Sequence, residues 1–144
     1  MSYHDLVRRA IAIDEQEIVL WMEIASMVPS RPLQEAIRRM AEEERESIAF
    51  WRSVLGEALG AGAATYEAGS AEAAGERGPG FLHHRIRQAL LTNLEEIALW
   101  AEIASRVPSD ALRLRIILRL PEEVGQVTFW DTLLLAYPEG MFNV

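Results

Sequence analysis

Four glutamates, Glu17, Glu44, Glu96 and Glu123, stand where helical periodicity asks for apolar core. Glu17 lies on the stripe Ile13, Glu17, Leu20, Ile24, and Glu44 on the stripe Ile37, Met40, Glu44, Ile48, Trp51. Residues three and four apart share a helix face, so these carboxylates point the same way as the apolar side chains around them. Glu96 and Glu123 occupy matching stripes 79 residues further along. Four bare carboxylates cannot share a core. Each buried ion costs several kcal/mol, and mutual repulsion raises the pKa values until protons or cations neutralise the cluster. A pair of divalent cations is the natural solution, and two-metal chemistry needs the ions about 3.5 to 4 Å apart, a spacing that bridging glutamates can enforce.

The elements that must position these acids come in two copies. Shifting the chain by 79 residues lays Glu17-Ile18-Val19-Leu20-Trp21-Met22-Glu23-Ile24-Ala25-Ser26 over Glu96-Ile97-Ala98-Leu99-Trp100-Ala101-Glu102-Ile103-Ala104-Ser105. The match continues through Val28-Pro29-Ser30 on Val107-Pro108-Ser109 and Phe50-Trp51 on Phe129-Trp130. Of the 39 positions from 17 to 55, 18 are identical to their mates, far above chance, so the chain reads as a duplicated two-helix unit. Apolar periodicity predicts helices over about 3 to 28, 31 to 57, 81 to 107 and 110 to 137. Pro29 and Pro108 end the first helix of each copy, and Ser30 and Ser109 can cap the second. The short turns predict that each pair is antiparallel.

Between the copies, residues 58 to 80 form a Gly/Ala-rich connector, and seven of the nine glycines fall between Gly56 and Gly80. Its roughly 22 residues could reach about 70 Å, whereas a 25-residue helix is about 38 Å long, so the chain can return along the whole bundle. The expected organisation is one domain over residues 1–144, with a first helix pair at 1–57 and a second at 81–144. Four long helices with one long crossover predict an all-α fold, a four-helix bundle of the ferritin-like type. With 144 residues, half of them hydrophobic, the chain suffices for one sizeable core. The absence of cysteine excludes a disulfide framework and a thiolate metal site. The formal charge of −8 works against nucleic acid and anionic membranes as partners. The N-terminal residues turn charged at once, as neither a signal peptide nor a membrane span does, and a cytoplasmic protein is expected.

The residues around the acids resemble the ferritin-like superfamily, most closely its rubrerythrin-like branch, in which duplicated helix pairs hold two iron or manganese ions. The likeness covers nearly the whole chain apart from the connector. In that branch the second helix of each pair carries Glu-x-x-His. Here Ala41-Glu42-Glu43-Glu44-Arg45-Glu46-Ser47 places Glu44 at the glutamate and Ser47 at the histidine, while Pro121-Glu122-Glu123-Val124-Gly125-Gln126 places Glu123 and Gln126 there. Both histidines are missing. The branch's acid on the first helix precedes an aromatic by about two turns, which points to Asp14 and Asn93, whereas both copies retain Glu17 and Glu96. The ligand set implied is Glu17, Glu44, Glu96 and Glu123, with Asp14 as an extra ligand. The resemblance implies two divalent metal ions, iron or manganese, and ferroxidase or peroxide- or oxygen-reducing oxidoreductase activity. No rubredoxin-type cysteines accompany it, so electrons for such chemistry require an external partner.

A second reading stands beside this one. His4 and His84 lie 13 and 12 residues before Glu17 and Glu96, roughly 18 to 20 Å along straight helices, so no histidine rescues the site. An all-oxygen site suits manganese, magnesium, calcium or iron and is poor for copper or structural zinc. Arg119 falls one turn before Glu123, where the first copy has Met40. The alternative is therefore a metal-free helical bundle, its acids paired to Arg119, Arg45 or protons and forming a polar layer that sets helix register, which acts as a structural or protein-interaction module by association, for example as a homodimer. Trp21, Trp51, Trp100 and Trp130 are expected to pack the core. Glu23 and Glu102, at the stripe's edge, are expected to form inter-helix ion pairs or hydrogen bonds. His83 and His84 are expected to be solvated, and Pro121 with Gly125 to distort the last helix or kink it.

Overall fold

The computed structural model describes residues 2–56 and 80–138. It is an all-α four-helix bundle with helices α1 (Tyr3–Met27), α2 (Arg31–Val54), α3 (Phe81–Arg106) and α4 (Asp110–Ala136). All four boundaries fall within a few residues of those the periodicity predicts. The connector expected at 58–80 lies, apart from Gly80, outside the described residues.

Three of the four helix starts carry a serine cap, and the third helix starts at Gly80 without a side-chain cap. Ser2 forms a capping box with Asp5, in which the Ser2 hydroxyl accepts from the Asp5 N–H and the Asp5 carboxylate accepts from the Ser2 N–H. Ser30 and Ser109 accept from the N–H groups of Leu33 and Leu112, as the sequence predicts. Val28 and Val107 leave α1 and α3 in extended backbone. Their carbonyls would otherwise be orphaned. Gln34 Nε2 donates to Val28 O at 2.7 Å, and Arg113, its mate 79 residues on, donates through Nη2 to Val107 O at 3.0 Å. Two different side chains at matching positions thus close the same kind of turn. Helix α2 ends earlier than the expected residue 57 because Gly56 takes a φ of +80°, the left-handed conformation that favours glycine after a helix. Pro121 does not break α4, which runs through it as α-helix and loses only the hydrogen bond that residue 121 cannot donate.

Helix α1 packs on both α2 and α3, and α3 packs on α4. The core they enclose falls into two apolar clusters. One holds Leu6, Ala10, Ile48, Trp51, Trp100, Ile103 and Ile116. The other holds Trp21, Ile24, Ile37, Ile86, Trp130 and Leu133. A tryptophan pair centres each: Trp51 meets Trp100 edge-on at 5.0 Å, and Trp21 meets Trp130 at 5.8 Å. The 79-residue shift carries Trp21 to Trp100 and Trp51 to Trp130, so it exchanges one pair for the other. Between the clusters along every helix lie the buried acids. No helix among the described residues is long and apolar enough to cross a membrane.

Every tryptophan is fully buried, so the packing role expected for them holds. Trp100→Ala should therefore cost about 3 to 5 kcal/mol, whereas Leu118→Ala on the exposed face of α4 should stay within about 0.5 kcal/mol. Urea unfolding of both variants checks this, and similar midpoints for the two would contradict the packing described.

Candidate metal centre

Helical spacing puts the acids in one layer. On α1, Asp14 and Glu17 are one turn apart and both completely buried, which makes Asp14 and Glu17 neighbours in the site instead of alternatives. Helix α2 contributes buried Glu44 and Ser47, α3 contributes buried Asn93 and Glu96, and α4 contributes buried Glu123 with half-buried Gln126. Under the 79-residue shift these are the same four positions twice, Asp14 on Asn93, Glu17 on Glu96, Glu44 on Glu123 and Ser47 on Gln126.

The two halves are not alike. In the first, one carboxylate oxygen from each of Asp14, Glu17, Glu44 and Glu96 lies within 4.8 Å of the other three. Asp14 Oδ1 and both oxygens of Glu17, Glu44 and Glu96 are buried and accept no hydrogen bond from any N–H or hydroxyl. Their nearest acidic neighbours are one another, close enough to share a proton or a cation, and the Gln126 side chain lies near Glu44. Ser47, one turn from Glu44 on α2, donates through Oγ to Asp14 Oδ2 at 3.1 Å and so fixes the direction of that carboxylate. In the second half, Asn93 Nδ2 donates to Glu123 Oε2 at 2.9 Å and to Gln126 Oε1 at 2.7 Å. Glu123 is buried as predicted but lies outside the four-oxygen group.

Electrostatics follow the geometry. Burial pushes the carboxyl pKa of Asp14, Glu17 and Glu44 well above the usual range, and a neighbouring acid adds to it in each case: Glu96 beside Asp14, Glu44 beside Glu17, Asp14 beside Glu44. Burial also raises Glu96 far up, with the Glu17 charge adding to it. Glu123 is raised by burial too, but Glu96, the Asn93 amide and the Arg119 charge pull it back.

The arginines considered as counter-charges make their close contacts elsewhere. Arg119 lies 4.7 Å over the Phe50 ring and 3.8 Å from Glu122, so it acts on Glu123 only through space. Arg45 pairs with exposed Glu42 at 3.3 Å. Glu23 forms the expected inter-helix ion pair, reaching Arg85 of α3 at 2.8 Å. Glu102 does not: it is exposed and pairs within α3, with Arg106 one turn on, and Leu6 stands at the position that matches Arg85. His84 is exposed as expected, while His83 is half-buried and lies 3.5 Å from Arg87. None of the three histidines is in the acid layer; His4 stacks on Tyr3 at the start of α1.

A cleft of about 390 Å³ between α1 and α3 reaches the layer, with Glu17 in its wall and the Glu23–Arg85 pair beside it. A larger groove of about 710 Å³, lined by α1 and the end of α2, touches none of the buried acids and has no evident part in their chemistry.

The donor set fits a hard cation. It offers oxygen only, the oxygens are anionic and without donors, and four of them converge, which suits manganese, iron, magnesium or calcium. Compared with known proteins, the chain matches no family model, no curated protein and no solved structure.

Metal-free protein carries a pH signature of this layer. The folded state keeps protons that the unfolded chain releases above the usual carboxylate pKa near 4. Stability is then fully present below that value and is lost as pH rises towards the raised folded pKa values. In EDTA, the unfolding free energy should fall between about pH 5 and 8, and Glu17→Gln should make the fall shallower. Urea unfolding across that range tests it; a flat profile for the unsubstituted chain would contradict the burial of the layer.

Proposed function

We propose that this chain is a ferritin-like metal-binding protein whose buried carboxylates hold iron or manganese and which oxidises ferrous iron or reduces peroxide or oxygen. One observation carries the reading: the oxygens of Glu17, Glu44 and Glu96, with Asp14 Oδ1, are buried together with no hydrogen-bond donor. Such a cluster needs positive charge, and removing it from water without compensation costs several kcal/mol per ion. Protons can supply that charge but leave the oxygens facing one another. A cation uses all of them.

The other supports are in the chain. The 79-residue likeness and the exchange of tryptophan pairs support an internal duplication of a helix pair, and Glu44-x-x-Ser47 with Glu123-x-x-Gln126 supports kinship with the rubrerythrin-like pattern despite the lost histidines. A redox-active cation bound here would supply electron exchange with a small oxidant or with ferrous iron. The protein's own part is positional. Asp14 and Glu17 from α1, Glu44 from α2 and Glu96 from α3 supply the oxygens, and Ser47 orients Asp14. The tryptophan pairs lie on either side of the layer along the bundle, and the cleft that Glu17 helps line is the side from which small reactants would approach. Electrons come from an outside donor, since the chain has no cysteine. Self-association belongs to the reading as well: Leu114, Ile117, Leu118 and Val124 are exposed at helical spacing on α4.

Manganese or ferrous ion added at about 100 times its Kd should stabilise the folded chain by about 2.7 kcal/mol, which for this size raises Tm by about 5 to 10 °C. Glu17→Gln with Glu44→Gln should abolish the shift. The same variant should oxidise ferrous iron under air no faster than buffer. Differential scanning calorimetry with a ferrous-oxidation assay reads both, and an unchanged Tm for the unsubstituted chain would leave a metal-free bundle in which the acids set helix register.

A further inference from the structure

We infer that the layer holds a single hard divalent cation, on Asp14, Glu17, Glu44 and Glu96, and that Asn93 and Gln126 close the other half against a second. The inference rests on the metal-binding reading above and departs from the two ions that the sequence pattern implies. Four oxygens mutually within 4.8 Å fit the shell of one ion, because metal–oxygen bonds of about 2.0 to 2.6 Å place opposite ligands roughly 4 to 5 Å apart. Three helices supply them, and α4 supplies none.

What the fourth helix brings is already satisfied. Asn93 takes the place that Asp14 has in the first half, and its amide group uses its N–H bonds on Glu123 and Gln126. An amide nitrogen offers hydrogens and no lone pair, so it faces a carboxylate well and a cation badly. Admitting a second ion would require Asn93 to turn over, which breaks both hydrogen bonds and leaves Glu123 Oε2 without its donor. Arg119 adds positive charge on the same side, where its mate in the first copy is Met40. On this side the one buried oxygen without a donor among the described residues is the neutral Asn93 Oδ1, whereas the donor-free carboxylate oxygens all belong to the four residues whose oxygens converge.

Manganese chloride alone is the probe. The full chain, stripped with EDTA and dialysed to equilibrium against manganese, should hold about one ion per chain by elemental analysis. Its paramagnetic resonance spectrum should show the resolved hyperfine lines of an isolated ion. Glu17→Gln should weaken binding at least about tenfold, the scale of losing one charged ligand. Asn93→Asp with Gln126→His, which replaces two neutral amides by a carboxylate and an imidazole nitrogen, should raise the content to about two ions with an exchange-coupled spectrum. Two coupled ions in the unsubstituted chain would overturn the inference and leave the metal-binding reading intact. No bound manganese in the unsubstituted chain would overturn both. A folded double variant that still holds one ion would overturn the role given to Asn93 and Gln126, and the count on the unsubstituted chain decides the stoichiometry whether or not that variant folds.

Discussion

The burial of five carboxylates in one layer is the constraint on which the rest of this bundle depends. Hydrophobic burial at both ends drives the helices together, but the layer between opposes it unless charge is neutralised. Asp14, Glu17, Glu44 and Glu96 have essentially no exposure, so solvent cannot do the neutralising. Whatever does so is part of the folded structure.

The arrangement around the layer follows from that requirement. A polar layer has low tolerance for sliding, because a shift of one turn would bring a carboxylate against a tryptophan. Trp21 and Trp100 follow Glu17 and Glu96 by one turn, and Trp51 and Trp130 follow Glu44 and Glu123 by two. The large rings therefore cap the layer from both directions and fix the axial position of every helix. Ser30 and Ser109, with Gln34 and Arg113 on the turn carbonyls, fix the other variable, the length of each helix-to-helix turn. Packing at the ends and electrostatics at the middle thus specify a single register.

The four helices and the buried acids were legible in the sequence because both are written in the 3.6-residue period, which needs no partner to be read. Glu17, Glu44, Glu96 and Glu123 interrupt apolar stripes, and all four are buried. Relations between helices were less legible. Asp14 could be read only as an extra ligand on the face of Glu17, and that its oxygens converge with those of Glu44 and Glu96 depends on the other helices. Ser47 and Gln126 looked like lost ligands, and what they do instead, orienting Asp14 and accepting from Asn93, depends on residues 33 positions away. Glu23 and Glu102 are mates in sequence, but only Glu23 has an arginine opposite it, because the matching position for Arg85 in the first copy is Leu6.

Those differences between mates explain how a repeated unit can carry an unequal site. If both halves kept an aspartate at the position of Asp14, six carboxylates would crowd the layer and two cations would be needed to hold it together. Replacing one aspartate by Asn93 removes a charge and adds a donor, so Glu123 gains a hydrogen bond where it would have needed a cation. The half with Asn93 therefore has its carboxylate Glu123 hydrogen-bonded, while the half with Asp14 has carboxylate oxygens without donors. Under the metal-binding reading, charge in this core is balanced by covalent sequence on one side and by an exchangeable ligand on the other, and the stability of the whole bundle is then coupled to the occupancy of one side alone.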